Sequence, residues 1–214
     1  MNKKIDKNNS DLLDALLRGD RKTCSQIIKK KLDSGIDIKK LYDNFIKPNL
    51  YEIGVLWEYN KISVATEHLA SAIVEGILNE IYPTIISTEK NNYSVIVSCV
   101  ENEFHQIGIK MVSDIFELNG WNSYYLGSNT PTNELIDFAK TIKPDILGIS
   151  LSIYFHLPAL ETMIQKIRAE FPNLTILIGG QAFRRGGQDA ILKYSNVIYL
   201  PDLEKIDMFI KNYK

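Results

Sequence analysis

Tyr93-Ser-Val-Ile-Val-Ser-Cys-Val100, followed two residues later by Glu103-Phe-His-Gln-Ile-Gly108, decides the fold of the C-terminal half. The first run is short, apolar and rich in β-branched residues, so it reads as a buried strand. The second leads to Ile107, where helical spacing begins and continues to Leu118. This order sets His105 just beyond the carboxyl end of a strand, the position where open α/β sheets bind ligands. Taken alone, His105 reads equally as a ligand or as a hydrogen-bonded structural residue.

Working outward from this stretch, further strand-like runs occur at Ser123–Leu126, Asp145–Leu151, Leu174–Ile178 and Val197–Tyr199. Helical segments separate them. Strands alternating with helices predict a parallel sheet flanked by helices, a Rossmann-like (flavodoxin-like) domain over residues 92–214. Upstream the period changes. Residues 1–9 are polar and read as a disordered tail, and Ser10 is placed to cap a first helix through Leu12, Leu16 and Leu17. Asp20 is placed to cap a second helix, closed by Gly35. A third carries Leu41, Phe45, Leu50, Ile53 and Leu56, with Pro48 expected to kink or divide it. A fourth runs from about Ser63 to Ile81. Short connections between four helices predict an all-α bundle over residues 10–84.

Composition excludes several classes. The chain has 214 residues, 45% of them hydrophobic, and a formal charge of −1. It has no basic excess for gripping nucleic acid. The opening MNKKIDKNNS lacks the apolar core of a signal peptide, and no apolar run reaches the length of a membrane span. Cys24 and Cys99 are too few for a disulfide framework and are expected as buried thiols. A cytoplasmic protein is expected, without direct contact to nucleic acid or membrane.

Spacing links His105 to the later strands. Forty-one residues separate Gly108 from Ser150, and twenty-six separate Ser152 from Gly179-Gly180. This arrangement resembles the cobalamin-binding pattern D-x-H-x-x-G, then S-x-L, then G-G. Glu103 stands in place of the aspartate, and Ser152 in place of the leucine. The resemblance implies that His105 is the lower ligand of a cobalt held in the corrin ring, displacing the cofactor's own dimethylbenzimidazole base. The displaced tail needs a slot beside the sheet, to which Ser150, Gly179 and Gly180 are assigned. Gly108 and Ser152 complete the motif. Glu103 is expected to hold the far ring nitrogen of His105, with an indirect contact left open by its extra methylene.

The helical half contains Gly54-Val-Leu-Trp57 and then Ile62-Ser-Val64-Ala-Thr-Glu67-His68. This W-x6-V-x2-E-H arrangement resembles adenosylcobalamin-dependent photoreceptor regulators of the CarH and LitR type, over roughly Leu41 to Phe183. The resemblance implies that Trp57 and Val64 wall the upper face of the corrin, that Glu67 contacts the adenosyl group, and that His68 lies close by. Val64, Glu67 and His68 share one helix face by spacing. Read without the resemblance, Trp57 is bundle core and Glu67 and His68 are ordinary polar residues. Those regulators usually carry a DNA-binding domain before the bundle. None is visible here, so output is expected through a protein partner or a change in homo-oligomeric state. They also place a histidine directly after the bundle tryptophan. Glu58 stands there instead, so water or His68 is expected as the upper ligand after illumination.

Corrinoid proteins of methyltransferase systems share the two-domain plan and are the alternative. Their D-x-H-D-I-G-K-N motif compares with Glu103-Phe-His105-Gln-Ile-Gly108-Ile-Lys here. A cobalamin storage or transfer protein is a third class. No substrate-turnover site is identified, and no enzyme activity is expected.

Overall fold

The computed structural model describes residues 7–213. The chain divides into two compact units, Met1–Ile85 and Ile86–Lys214.

In the first unit, helices α1 (Lys7–Leu17) and α2 (Arg21–Asp33) are joined by a tight turn at Gly19 and Asp20. α1 starts three residues before Ser10, which is therefore not its N-cap. A first turn has unsatisfied N–H groups in any case, and polar residues such as Asn8 and Asn9 can occupy it. The rest of the expected disordered tail, residues 1–6, lies outside the described residues. Asp20 does cap α2, its carboxylate accepting the Thr23 N–H at 3.0 Å. Gly19 is in the left-handed region, and a Cβ there would lie 2.7 Å from Leu69.

A continuous helical run follows: α3 (Ile38–Leu41), a π-helical turn over Tyr42–Ile46, and α4 (Lys47–Glu58). Pro48 neither divides nor ends it. Proline returns no N–H to the preceding turn, and the backbone widens just before it, with the Lys47 N–H donating to Tyr42 O. The buried Asn49 amide donates to Phe45 O at 2.7 Å, which satisfies a carbonyl in the widened turn. α5 (Val64–Ile81) is capped by Ser63 and buries Ala70, Ile73, Val74, Ile77 and Leu78. Leu12, Leu16, Ile28, Leu41, Tyr42, Ile46 and Ile53 are the other large members of this core.

The second unit is a five-stranded sheet: β1 (Ser94–Cys99), β2 (Asn122–Gly127), β3 (Ile146–Ser150), β4 (Thr175–Gly179) and β5 (Val197–Tyr199). The order is β2-β1-β3-β4-β5 and every pairing is parallel, the flavodoxin-like arrangement. The connecting helices are α6 (Ile107–Leu118), α7 (Thr132–Ile142), α8 (Leu157–Glu170) and α9 (Gln188–Leu192), and α10 (Leu203–Asn212) closes the chain. Ile96, Leu147, Ile149, Ile176 and Ile178 share one sheet face, packed with Leu135 and Ala139 of α7 and Leu160, Met163, Ile164 and Ile167 of α8. The alternate residues Val95, Val97, Gly148, Ser150 and Gly179 point to the opposite face. Right-handed crossovers place α6 on that side.

At the amino end of the strands, Trp121 stacks on Tyr93 at 5.0 Å and meets Phe116 and Tyr213 edge-on. The opposite, carboxyl end carries His105. Among the described residues no helix is long and apolar enough to cross a membrane.

Candidate functional site

The loop from β1 to α6 is held by the segment that runs from the end of β2 into α7. Asn102, in the left-handed region, gives its N–H to Asn129 Oδ1 at 3.1 Å. Asn129 returns its N–H to Glu103 O at 3.0 Å. The Gln106 side chain accepts the Ser128 N–H at 3.2 Å, and Glu101 accepts both the N–H and the hydroxyl of Thr132. These bonds tie the loop to the start of α7 and fix the backbone on which His105 stands.

Glu103 is the centre of the site. Its side chain is fully buried, with 0% exposure. Oε1 accepts the His105 backbone N–H at 3.1 Å and its Nδ1 at 2.5 Å. Oε2 accepts the N–H groups of Ser152 at 3.1 Å and Ile153 at 2.9 Å. The contact with His105 is direct, so the extra methylene does not interpose anything. It gives the carboxylate the reach to join the β1–α6 loop to the segment after β3. Burial by itself would raise the Glu103 carboxyl, but the hydrogen bonds from His105 and Ile153 outweigh it and hold the group at about 2. An ionised Glu103 accepts a proton held on His105 Nδ1, so in the neutral form of the ring the lone pair lies on Nε2. The ring remains half exposed.

Cys99 lies beneath, its thiol 3.6 Å from His105 O. Burial first, and the Glu103 charge second, push this thiol up to about 12. Cys24 is raised to about 11, chiefly by burial. Both are buried and free.

Ser150, Gly179 and Cys99 stand in register at the ends of three adjacent strands. Ser150 is buried. A Cβ on Gly179 would sit 2.9 Å from Leu200 O. Gly180 has φ +114°, and a Cβ there would sit 2.1 Å from Leu151 O. The glycine pair is therefore required by close backbone approach as well as by any ligand. Gly108 differs, because a Cβ there would meet nothing within 4 Å. Ser152 contributes its backbone N–H to Glu103. Thus Glu103, His105 and Ser152 are bonded into one group, while Ser150, Gly179 and Gly180 form a strand-end group next to it. Residues 181–185 form a 3₁₀ turn.

The bundle residues belong to the first unit, on α4 and α5. Trp57, in the last turn of α4, is 49% exposed, and Val64, at the start of α5, is 51% exposed. Trp57 is therefore not bundle core. Glu67 accepts the Ser71 hydroxyl at 2.8 Å and lies 3.5 Å from His68 Nε2. His68 is mostly exposed.

His156 was not expected from the sequence. It stands after β3 in no recognisable motif, and only its fold neighbourhood reveals it. Its Nδ1 lies 3.5 Å from Glu103 Oε2.

A single imidazole is too small a donor set for a bare ion and suits a metal already held in a macrocycle. Among the described residues, no group of three or more His, Cys, Asp or Glu side chains could hold an ion unaided. The pinned histidine, the buried serine and the bare strand-end glycines fit a corrin cofactor with a displaced tail. Comparison with known proteins decides the family. A model described as B12 binding domain matches residues 93–199, half of the chain, and a second of the same description matches residues 9–82.

The chain belongs to the B12-binding domain family. It is a cobalamin-binding protein with the corrinoid-protein fold. Two kinds of protein stand among its relatives. The HTH-type transcriptional repressor CarA of Myxococcus xanthus is 28% identical over 115 residues, covering 54% of this chain and 38% of the repressor. This chain thus spans well under half of that relative's length. Dimethylamine corrinoid protein 1 of Methanosarcina acetivorans is 23% identical over 167 residues, covering 76% of this chain and 78% of that protein. The structure of the Methanosarcina barkeri monomethylamine corrinoid protein superposes with a TM-score of 0.81 at 14% identity, covering 94% of this chain and 96% of that one. That likeness is one of fold.

Proposed function

We propose that this B12-binding protein takes cobalamin in its adenosyl form, with His105 as lower cobalt ligand. It works as a light-responsive regulatory protein through a protein partner or self-association, and does not itself turn over a substrate. The observation that carries the binding mode is the His105 Nδ1 to Glu103 Oε1 hydrogen bond of 2.5 Å on a buried, ionised carboxylate. This pair orients the imidazole and makes Nε2 the better donor before any cofactor arrives. Gly179 and Gly180 keep the strand ends clear of side chains, and Ser150 supplies a hydroxyl there.

The adenosyl preference is supported by the bundle group. Trp57 and Val64 offer an indole and an apolar surface suited to a nucleoside, and Glu67, braced by Ser71, offers a fixed carboxylate to its hydroxyls. When bound, the cofactor supplies a photolabile cobalt–carbon bond. With Glu58 in the position after the tryptophan, water or His68 is the candidate for answering its loss.

A second reading, a methyl carrier for a methyltransferase, is favoured by the greater length shared with the dimethylamine corrinoid protein. Titration with adenosylcobalamin and methylcobalamin, followed by absorption and size-exclusion chromatography before and after green light, separates the two. The regulatory reading expects tighter adenosylcobalamin binding and a light-dependent change in spectrum and assembly. Equal affinities with no light-dependent change in assembly would leave the carrier.

A further inference from the structure

β2 stands at one edge of the sheet, paired with β1 on its inner side. The outer side of such a strand is a template for one more strand. The Asn122 N–H goes to Tyr93 O at 3.0 Å, so in a parallel ladder the Trp121 C=O and the Ser123 N–H point away from β1. Two side chains meet them. Glu117, in the last turn of α6, accepts the Ser123 N–H on Oε1 at 3.1 Å. Lys90 Nζ donates to Trp121 O at 3.1 Å. The two side chains are also paired with each other, Nζ to Glu117 Oε2. An added parallel strand would set one residue at this place, its N–H on Trp121 O and its C=O on the Ser123 N–H. Lys90 supplies that donor and Glu117 that acceptor, so the pair stands in for one residue of a sixth strand.

The surroundings hold the pair in place. Glu117 is buried. Lys90 lies on the segment leading into β1, which is strapped against the turn between α6 and β2. Asn91 gives its N–H to Gly120 O at 2.8 Å and its side-chain amide to Asn119 O at 3.1 Å. Gly120 has φ +78°, and a Cβ there would lie 2.7 Å from Glu89 O, so glycine lets the strap lie this close. At the far end of β2 the pairing with β1 shifts register between Val97 and Ser98, an irregularity that turns an edge away from a new partner.

We propose that Lys90 and Glu117 guard the β2 edge, closing it against strand addition by a second copy of this chain. A second copy is the occupant that fits. Two β2 edges turned antiparallel about Tyr124 set the Ser123 N–H of each on Tyr125 O of the other, and the Tyr125 N–H on Ser123 O. The same register brings the two Tyr124 rings, each 37% exposed, directly opposite one another as a cross-strand aromatic pair. A Ser123 N–H bonded to Glu117 cannot enter that pairing. The guard is separate from the cofactor reading, and its test needs no cobalamin.

The first arm of the test is amide hydrogen exchange on the full-length wild-type protein. The Ser123 amide points away from the sheet, yet it should exchange about 10–100-fold more slowly than in an unstructured peptide, as a hydrogen bond to a charged group requires. Exchange at the unstructured rate would overturn the guard. The second arm uses Lys90→Ala/Glu117→Ala, which removes both partners at once and leaves neither charge alone. Sedimentation in the dark should show one concentration-dependent association step beyond the wild-type state. Adding Ser123→Pro, which deletes the outward N–H, should abolish that step. A double variant that unfolds cooperatively in urea yet keeps the wild-type state at its highest soluble concentration would overturn the proposal. Association that survives Ser123→Pro would also overturn it. Should the alanine pair fail to fold, Lys90→Met/Glu117→Leu, closer in volume and equally without charge, is held to the same outcomes.

Discussion

The two units carry their candidate residues in opposite ways. In the sheet unit the key group is buried and bonded: Glu103 accepts four hydrogen bonds from three residues, and Gly180 sits against the Leu151 backbone. In the helical unit Trp57 and Val64 are about half exposed, and Glu67 is held by one hydroxyl. The first group is part of what makes its unit fold. The second is laid on a core that Ile53, Ile73 and Ile77 complete without it. Changes in the sheet group should therefore alter stability and binding together, whereas changes in the helical group should separate them.

The largest effect is expected at Gly180. Alanine there must adopt φ near +114° and bring a Cβ into the Leu151 carbonyl. The variant should lose about 3 kcal/mol or more, or fail to fold, as read by urea unfolding. Gly108→Ala tests the opposite case inside the same motif. With nothing near its Cβ and a helical position to gain from alanine, the cofactor-free protein should be more stable by about 0.5–1 kcal/mol, while cobalamin binding weakens. If both glycines cost stability alike, the distinction between a folding glycine and a binding glycine within this motif is lost.

Glu103→Gln comes next. The amide cannot accept at both ends, so N–H donors of Ser152 and Ile153 or the His105 ring lose a partner. Cobalamin affinity should fall by about 10–100-fold. The variant also has a pH signature. The folded-state value of Glu103, about 2, lies below its ordinary 4.5, so its contribution to stability is complete above about 4.5 and is lost as the pH falls toward 2. In the cofactor-free protein, wild type should lose stability over that window relative to Glu103→Gln. Parallel curves would show that the carboxylate is not held ionised by its donors.

The same contrast explains what the sequence could show. Strand placement was legible to within a residue at each end, because fully buried runs such as Val95–Val97 and Ile146–Ile149 have no alternative use in a small sheet. The Glu103–His105 pairing was legible because both residues sit on one short loop. Three features were not. The π turn before Pro48 depends on how one missing N–H is absorbed, which spacing does not encode. The start of α1 at Lys7 carries no apolar signal, because Lys7, Asn8 and Asn9 open the helix. His156 lies fifty-one residues from His105 and meets Glu103 only because β1 and β3 are neighbours in the sheet. Exposure was also hidden: Trp57 follows the helical apolar period of α4 yet falls on its outer side.

The smallest effect on stability is expected at Trp57, and it bears most directly on function. An indole that is 49% exposed at the end of α4 contributes packing on one side only, so Trp57→Ala should cost about 1 kcal/mol or less. Ile53, one turn earlier and 1% exposed, is the internal control. Ile53→Ala should cost about 2–5 kcal/mol by leaving a cavity in the bundle. If Trp57 walls the adenosyl group, its removal should weaken adenosylcobalamin binding while leaving the affinity for methylcobalamin near wild type, since the smaller ligand does not reach an indole. Ile53→Ala, measured at a temperature where it remains folded, should weaken both alike or neither. A Trp57→Ala protein that loses the two ligands equally would place the indole against the corrin itself or in a structural role. The adenosyl preference would then rest on Val64 and Glu67 without the indole, and the carrier reading would gain what the regulatory one lost.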